Sequence, residues 1–145
     1  MIKIICLGKL KTTYLKDMVN DYLKRIKKYH KIEIIELKDN ENILKESEDV
    51  LKHIKPQEYI IAMDINGIKT NSIDFSNIIS NTFNHFGTIT FIIGSSNGLS
   101  RDVKNKANIL LSFSDNTFPH GLFRAMLLEQ IYRSFKIINN ENYHK

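Results

Sequence analysis

The chain has one cysteine, two prolines and six glycines in 145 residues. The lone Cys6 has no partner for an internal disulfide and lies inside the apolar run Ile4-Ile5-Cys6-Leu7, which excludes a bridge-stapled secreted scaffold. So little glycine and proline excludes collagen-like, linker-rich or disordered organisation. No segment approaches the ~20 apolar residues that a membrane span needs, and the apolar stretch within Met1–Gly8 is too short for a signal peptide. The chain is therefore expected in the cytoplasm, with no membrane partner. The five histidines, His30, His53, His85, His120 and His144, have no metal-ligand spacing, so no metal site is expected. No serine sits in a nucleophile-elbow context. The glycines match neither a Walker loop nor a Gly-x-Gly-x-x-Gly fingerprint, so neither ATP hydrolysis nor NAD binding is supported.

What is present is a globular composition, 42% hydrophobic and 26% charged, at a length that suits one domain over residues 1–145. The formal charge is +5, and it is local. Between Lys9 and Lys31 stand eight basic residues against Asp17 and Asp21, whereas the remainder carries 13 basic and 14 acidic residues. A polyanionic partner is expected at Lys9, Lys11, Lys24, Arg25, Lys27 and Lys28, with Tyr14, Tyr22 and Tyr29 interleaved as RNA-binding surfaces often have. The same segment reads as an amphipathic helix whose Leu15, Met18, Val19, Leu23 and Ile26 pack inward, and both readings hold together.

Apolar, β-branched runs at Ile2–Leu7, Ile32–Leu37, Tyr59–Ile65, Thr88–Ile93 and Ile109–Phe113 are continuous rather than alternating, which predicts strands of a parallel sheet covered on both faces. Helical patterns lie between them at Thr13–Tyr29, Ile43–Ile54, Ile73–Phe86 and Ser100–Asn105, and a longer one runs from Pro119 to Ile138, with Pro119 at its first position. The alternation predicts an α/β fold with right-handed crossovers. Ligands in such sheets bind beyond the carboxyl ends of strands.

After the fourth strand, Gly94-Ser95-Ser96-Asn97-Gly98-Leu99-Ser100 reads either as a cradle for a nucleotide-like ligand or as a plain strand-to-helix turn with Ser100 as the cap. After the fifth, Ser112-Phe113-Ser114-Asp115-Asn116-Thr117-Phe118-Pro119-His120 leads into a nearly all-apolar helix. Free N–H groups at that helix start either face a ligand or belong to one more capped helix. Glu129 and Arg133 are spaced i,i+4 and are expected to pair, while Arg124 has no evident partner. His120 and His144 are candidate proton acceptors.

Taken together, these residues resemble the RlmH family, within the SPOUT methyltransferases. The resemblance rests on Met1-Ile2-Lys3-Ile4 with Gly8-Lys9-Leu10, Ile93-Gly94-Ser95-Ser96-Asn97-Gly98-Leu99, Leu111-Ser112-Phe113-Ser114 with Thr117-Phe118-Pro119-His120, Glu129-Gln130-Ile131-Tyr132-Arg133 and Tyr143-His144-Lys145. It covers nearly the whole chain. It implies an α/β fold with a C-terminal trefoil knot, a homodimer sharing the last helix, and S-adenosylmethionine held by Met63, Gly94, Gly98, Phe113, Ser114, Asp115, Asn116, Thr117 and Phe118. The implied reaction is methylation of N3 of pseudouridine 1915 in helix 69 of 23S rRNA on the assembled ribosome. His144 and Tyr143 are expected to handle the proton, with the tail donated by the partner copy, and His120 and Arg124 to organise the site. Two positions depart from the family pattern, which usually has glycine at Ser95 and leucine at Met63; Ser95 would crowd a ligand if its φ were positive. A catalytically inert RNA- or ribosome-binding protein of the same fold is the competing reading, and a flavodoxin-like nucleotide-binding protein follows from the strand pattern alone.

Overall fold

The computed structural model describes residues 1–145, and ten elements alternate along it: β1 (Ile2–Leu7), α1 (Thr13–Ile26), β2 (Ile32–Leu37), α2 (Ile43–Lys52), β3 (Tyr59–Lys69), α3 (Ser72–Phe83), β4 (Ile89–Ile93), α4 (Arg101–Lys106), β5 (Ile109–Ser112) and α5 (His120–Ile138). The strands form one sheet in the order β2-β1-β4-β3-β5, and every neighbouring pair is parallel. This is the α/β architecture that the alternating pattern predicts. No helix is long and apolar enough to cross a membrane.

The continuous apolar runs follow from what each face of the sheet buries. Ile2, Ile4 and Cys6 of β1, Ile89, Phe91 and Ile93 of β4, and Ile61 and Met63 of β3 join one core with side chains of α1, α3 and α5. Ile5, Leu7, Ile60, Ala62 and Ile92 form a second core with Val50 of α2 and Val103 of α4. Successive strand residues point to opposite faces, and with both faces covered a central strand is apolar at nearly every position. Burial pushes the Cys6 thiol up to about 12, so it packs as a small hydrophobe. Edge strand β2 breaks the run with Glu33 and Glu36.

Several boundaries shift, for local reasons. The first helix ends at Ile26 rather than Tyr29, because the N–H groups of Lys28 and Tyr29 turn back to carbonyls only three residues behind. The second ends at Lys52 rather than Ile54 and the third at Phe83 rather than Phe86, and both tighten in the same way. Pro119 has a helical φ of −54° but an extended ψ of 136°, so it stands before α5 rather than in it. β3 runs on past Ile65 to Lys69. On α1 only Val19 and Ile26 are fully buried, and Met18, expected to pack inward, is exposed. The apolar side chains of α5 are largely consumed within the chain: Ala125, Leu127, Leu128, Ile131 and Phe135 are buried, and Gly121 lets Leu10 and Leu15 close over the start of the helix. Of the exposed large apolar side chains only Ile138, the last residue of this helix, belongs to it; the others include Tyr14, Met18, Ile65, Ile68 and Ile73.

At the amino ends of the central strands, Lys3 and Glu58 form an ion pair of 2.6 Å with both side chains 4% exposed. Lys3 Nζ also donates to the His53 carbonyl, and Thr90 Oγ1 donates to Glu58. Burial works against the Glu58 charge, but the bonds from Lys3 and Thr90 outweigh it and hold the carboxyl below its ordinary value of 4.5. Removing one partner leaves an uncompensated buried charge, so Lys3→Met is expected to cost about 3–5 kcal/mol in urea unfolding at pH 7. Because the folded value is lowered, the contribution of Glu58 is present above the ordinary carboxylate value and fades as pH falls through the folded value. Lys3→Met should flatten that acid limb, and an unchanged limb would refute the assignment.

Candidate active site

Three turns, one inside β3 and one at the carboxyl end of each of β4 and β5, converge on one cleft of about 760 Å³. The first is a detour within β3. Both Met63 and Ile68 lie opposite Leu111 of β5, so Asp64–Gly67 is looped out of the ladder. Gly67 makes this possible: a Cβ there would lie 2.6 Å from the Leu110 carbonyl carbon and 2.7 Å from the Leu111 nitrogen. Within the detour Asp64 Oδ1 accepts the Asn66 N–H, and its other oxygen pairs with Lys104 of α4 at 2.7 Å. Burial opposes the Asp64 charge, and the bonds from Lys104 and Asn66 overcome it, holding the carboxyl below its usual range.

In the second turn, a Cβ on Gly94 would lie 2.8 Å from the Gly98 carbonyl, and Gly98 takes a φ of +74°. Both glycines are therefore dictated by the backbone of the turn itself, which the Gly98 N–H closes onto the Ser95 carbonyl at 2.9 Å. Ser95 is not strained, since the one non-glycine residue with positive φ is Asn140. Ser100 caps α4 through the Val103 N–H, as the sequence predicts.

In the third turn, Ser112 Oγ donates to the Ser114 carbonyl and Ser114 Oγ accepts the Asn116 N–H. Phe113, Ser114, Asn116, Thr117 and Phe118 all line the cleft, as do Met63, Gly94, Gly98 and His120. Asp115 does not: it points to solvent, 93% exposed, and pairs with Lys69. Asp64 and Lys104 line the cleft and are absent from the expected set. The signal for Asp64 was its place at the end of an apolar strand run, whereas nothing in the sequence marks Lys104. Met63, Ile93, Leu99, Leu111, Phe113, Phe118 and Phe123 give apolar walls, and the turns contribute backbone polar groups, which suits a ligand with a flat apolar portion and polar edges.

Arg124 has a partner after all, far away in sequence. It is 2% exposed, its Nη1 pairs with Glu36 Oε2 at 2.5 Å, and its Nη2 donates to the Gly8 carbonyl. Glu36 also accepts the Leu10 N–H. Burial disfavours the Glu36 charge and these bonds more than restore it, so its carboxyl lies low. Arg124 is thus absent from the cleft lining and clasps the β1–α1 turn to α5. Gly8, at a φ of +101°, makes room for the His120 imidazole, which a Cβ there would meet at 3.4 Å.

The tail stands apart from the cleft in this chain. Tyr143 packs edge-on to Tyr132, 4.9 Å between centroids, lies under the Arg133 guanidinium and donates its hydroxyl to Glu129. Glu129 pairs with Arg133 at 2.6 Å, as the spacing predicts, and His144 Nδ1 is 3.2 Å from Arg133 Nη1. Burial first, then bonds with Tyr22 and Glu129, raise the Tyr143 phenol above its ordinary value, so it stays protonated at neutral pH. Glu129 borders a second groove with Met18, Met126 and Phe113, and Phe113 lines both spaces.

The basic residues fall into two groups. Lys9 and Lys11 stand on the β1–α1 turn and Lys24, Arg25, Lys27 and Lys28 at the far end of α1, and all six are exposed. The 14-residue helix between Lys11 and Lys27 is about 20 Å long. Arg25 is partly engaged, by Asp21 at 3.0 Å and by the rings of Tyr22 and Tyr132.

The family described as "Predicted SPOUT methyltransferase" matches residues 1–144. A ribosomal RNA large subunit methyltransferase H from Caldicellulosiruptor bescii is 47% identical over 154 residues, covering all of both chains. A protein of the same description from Clostridium botulinum strain Hall is 47% identical, covering 99% of each. Among solved structures, the SpoU methyltransferase AviRb from Streptomyces viridochromogenes has the same fold at 10% identity and a TM-score of 0.53, over 98% of this chain and 62% of the longer AviRb chain. AviRb has also been solved in complex with the cofactor AdoMet.

The cleft depends on Gly67, so Gly67→Ala is expected to force the Leu110–Leu111 backbone aside and cost about 1–3 kcal/mol in denaturant unfolding. Gly87, which has nothing within 4 Å of its Cβ position, is the control. Gly87→Ala should stay within about 0.5 kcal/mol of the parent, and equal losses at the two positions would show that the close approach is unimportant.

Proposed function

The chain belongs to the RlmH family of SPOUT methyltransferases, and from that membership we propose that it is an S-adenosylmethionine-dependent enzyme that methylates the large-subunit ribosomal RNA. The substrate atom in this reading is N3 of pseudouridine 1915 in helix 69 of 23S rRNA, presented by the assembled ribosome in the cytoplasm. The observation that carries it is the convergence of the three turns on one cleft with apolar walls and polar backbone rims. The cofactor supplies a methyl group on a sulfonium, so transfer to nitrogen is a displacement that needs neither metal nor covalent intermediate, and positioning provides most of the acceleration.

Each part of the chain has a place in that reaction. Phe113, Phe118, Leu99 and Met63 supply the surface for a flat base, and the Gly94–Gly98 and Ser114–Thr117 backbones supply groups for its edges. The three turns are the segments that the SPOUT trefoil knot is built from. Tyr143 acts as a hydroxyl donor rather than a base. Arg133 can only donate, so Nδ1 of His144 accepts from it and Nε2 carries the ring proton. Held in this way, His144 offers a donor to an oxygen of the ring anion, and it takes the N3 proton only once Arg133 releases it. In one copy the tail lies outside the cleft, so the tail of a second copy completes the site in a homodimer. His120 stands at the cleft wall, Arg124 sets the turn behind it, and the two basic groups hold phosphates without reading sequence.

Calorimetric titration with S-adenosylmethionine tests the cofactor assignment: micromolar binding is expected, and none at millimolar cofactor favours the inert RNA-binding protein. His144→Ala should lower single-turnover methylation by about 10²-fold or more with cofactor affinity retained; unchanged turnover removes His144 from the mechanism. Whole ribosomes should be methylated far faster than a synthetic helix 69 stem-loop, and equal rates would end the claim that specificity lies in the ribosomal setting. Mass spectrometry of rRNA from cells with and without the gene identifies the nucleotide.

A further inference from the structure

Helix α2 contributes nothing to the lining of the cleft, yet two of its adjacent residues fasten the Gly94–Leu99 turn from behind. Glu46 is 1% exposed and Ser47 4%. Glu46 Oε1 accepts the Ser95 hydroxyl at 3.0 Å, and Oε2 accepts the Asn40 N–H at 2.8 Å. With its proton committed to Glu46, Ser95 Oγ accepts the Asn97 N–H. One residue on, the Ser47 hydroxyl accepts from Ser100 Oγ at 2.8 Å, and Ser100 Oγ accepts the Val103 N–H. Both ends of the turn therefore hang on α2.

Glu46 differs from the other deeply buried acid. Glu58 is matched by Lys3, whereas no ion pair engages Glu46. A buried carboxyl without a cation is an expensive way to occupy space that an apolar side chain would fill. Its two oxygens, each accepting one bond, give something an amide does not: two acceptors that fix the polarity of the Glu46–Ser95–Asn97 chain. We propose that Glu46 is a positioning residue for the cofactor, acting through Ser95 to hold the turn in its receiving shape. This rests on the reading of the cleft as an S-adenosylmethionine site. It also gives Ser95, the departure from the family's usual glycine, a task that glycine has no hydroxyl to perform.

The test is a double-mutant cycle read by calorimetric titration with S-adenosylhomocysteine, with thermal melting of each variant in parallel. Glu46→Leu and Ser95→Ala should each weaken binding about tenfold or more, the scale of one buried hydrogen bond left unmade. The double variant should be no weaker than Glu46→Leu alone, because leucine has already removed the acceptor that the Ser95 hydroxyl uses. In turnover assays the KM for S-adenosylmethionine should rise while kcat at saturation holds, a split that a general loss of stability does not produce. Wild-type affinity in Glu46→Leu, or effects that multiply in the double variant, would overturn the proposal. Should Glu46→Leu fail to fold, Ser95→Ala alone decides, since wild-type affinity there denies that the link matters. A wild-type protein that binds neither compound would instead sink the cofactor reading beneath it.

Discussion

A single steric allowance holds the site together: the backbone of β5 passes so close to Gly67 that no side chain fits between them. Because of it, β3 leaves the ladder after Met63 and rejoins it at Ile68, both opposite Leu111. A parallel strand that ended at Met63 would leave Ser112, the last residue of β5, without a partner. A strand that continued straight would bury Asp64 in the sheet with no cation to meet it. The detour does neither. It turns Asp64 toward Lys104, opens one wall of the cleft, and still returns Lys69 to pair with Ser112, so that the β5 turn leaves from a fixed point.

The same economy governs the far side of the cleft. Arg124 on α5, Glu36 on β2 and Gly8 after β1 lie far apart in sequence, and one buried guanidinium joins them. Since His120 is one helical turn before Arg124, the clasp that secures the β1–α1 turn also sets where the imidazole stands. The site is thus framed by two rigid contacts, one made by a missing side chain and the other by a long one.

How much of this was legible in the sequence depends on distance along the chain. The strands were plain because burial on both faces makes them continuous apolar runs, and Ser100 could be named a cap from its neighbours alone. Pro119 marked the start of α5 to within one residue, the error being its extended ψ, which no residue type reveals. The β3 detour could not be read, because it is a relation between Ile68 and Leu111, and Asn66-Gly67 taken locally resembles an ordinary turn. Arg124 has no partner within reach of local sequence for the same reason: Glu36 is 88 residues away. The tail was identified by its motif, but its seat against Tyr132, Arg133 and Glu129 arises from aromatic packing on α5. Asp115 is expected in the cleft and lies outside it, because membership of a loop says nothing about which way a side chain leaves it.

The separation of positive charge along α1 has an implication for what the molecule is able to grasp. A helix bearing lysines at both tips behaves as a caliper of about 20 Å. A short flexible hairpin of nucleic acid touches one tip or the other and gains from only one set of charges. A large, stiff particle whose phosphates are already spaced at that interval engages both at once, and the second engagement comes almost free of entropic cost. Discrimination by size and rigidity is thereby available to a small protein before any base is inspected.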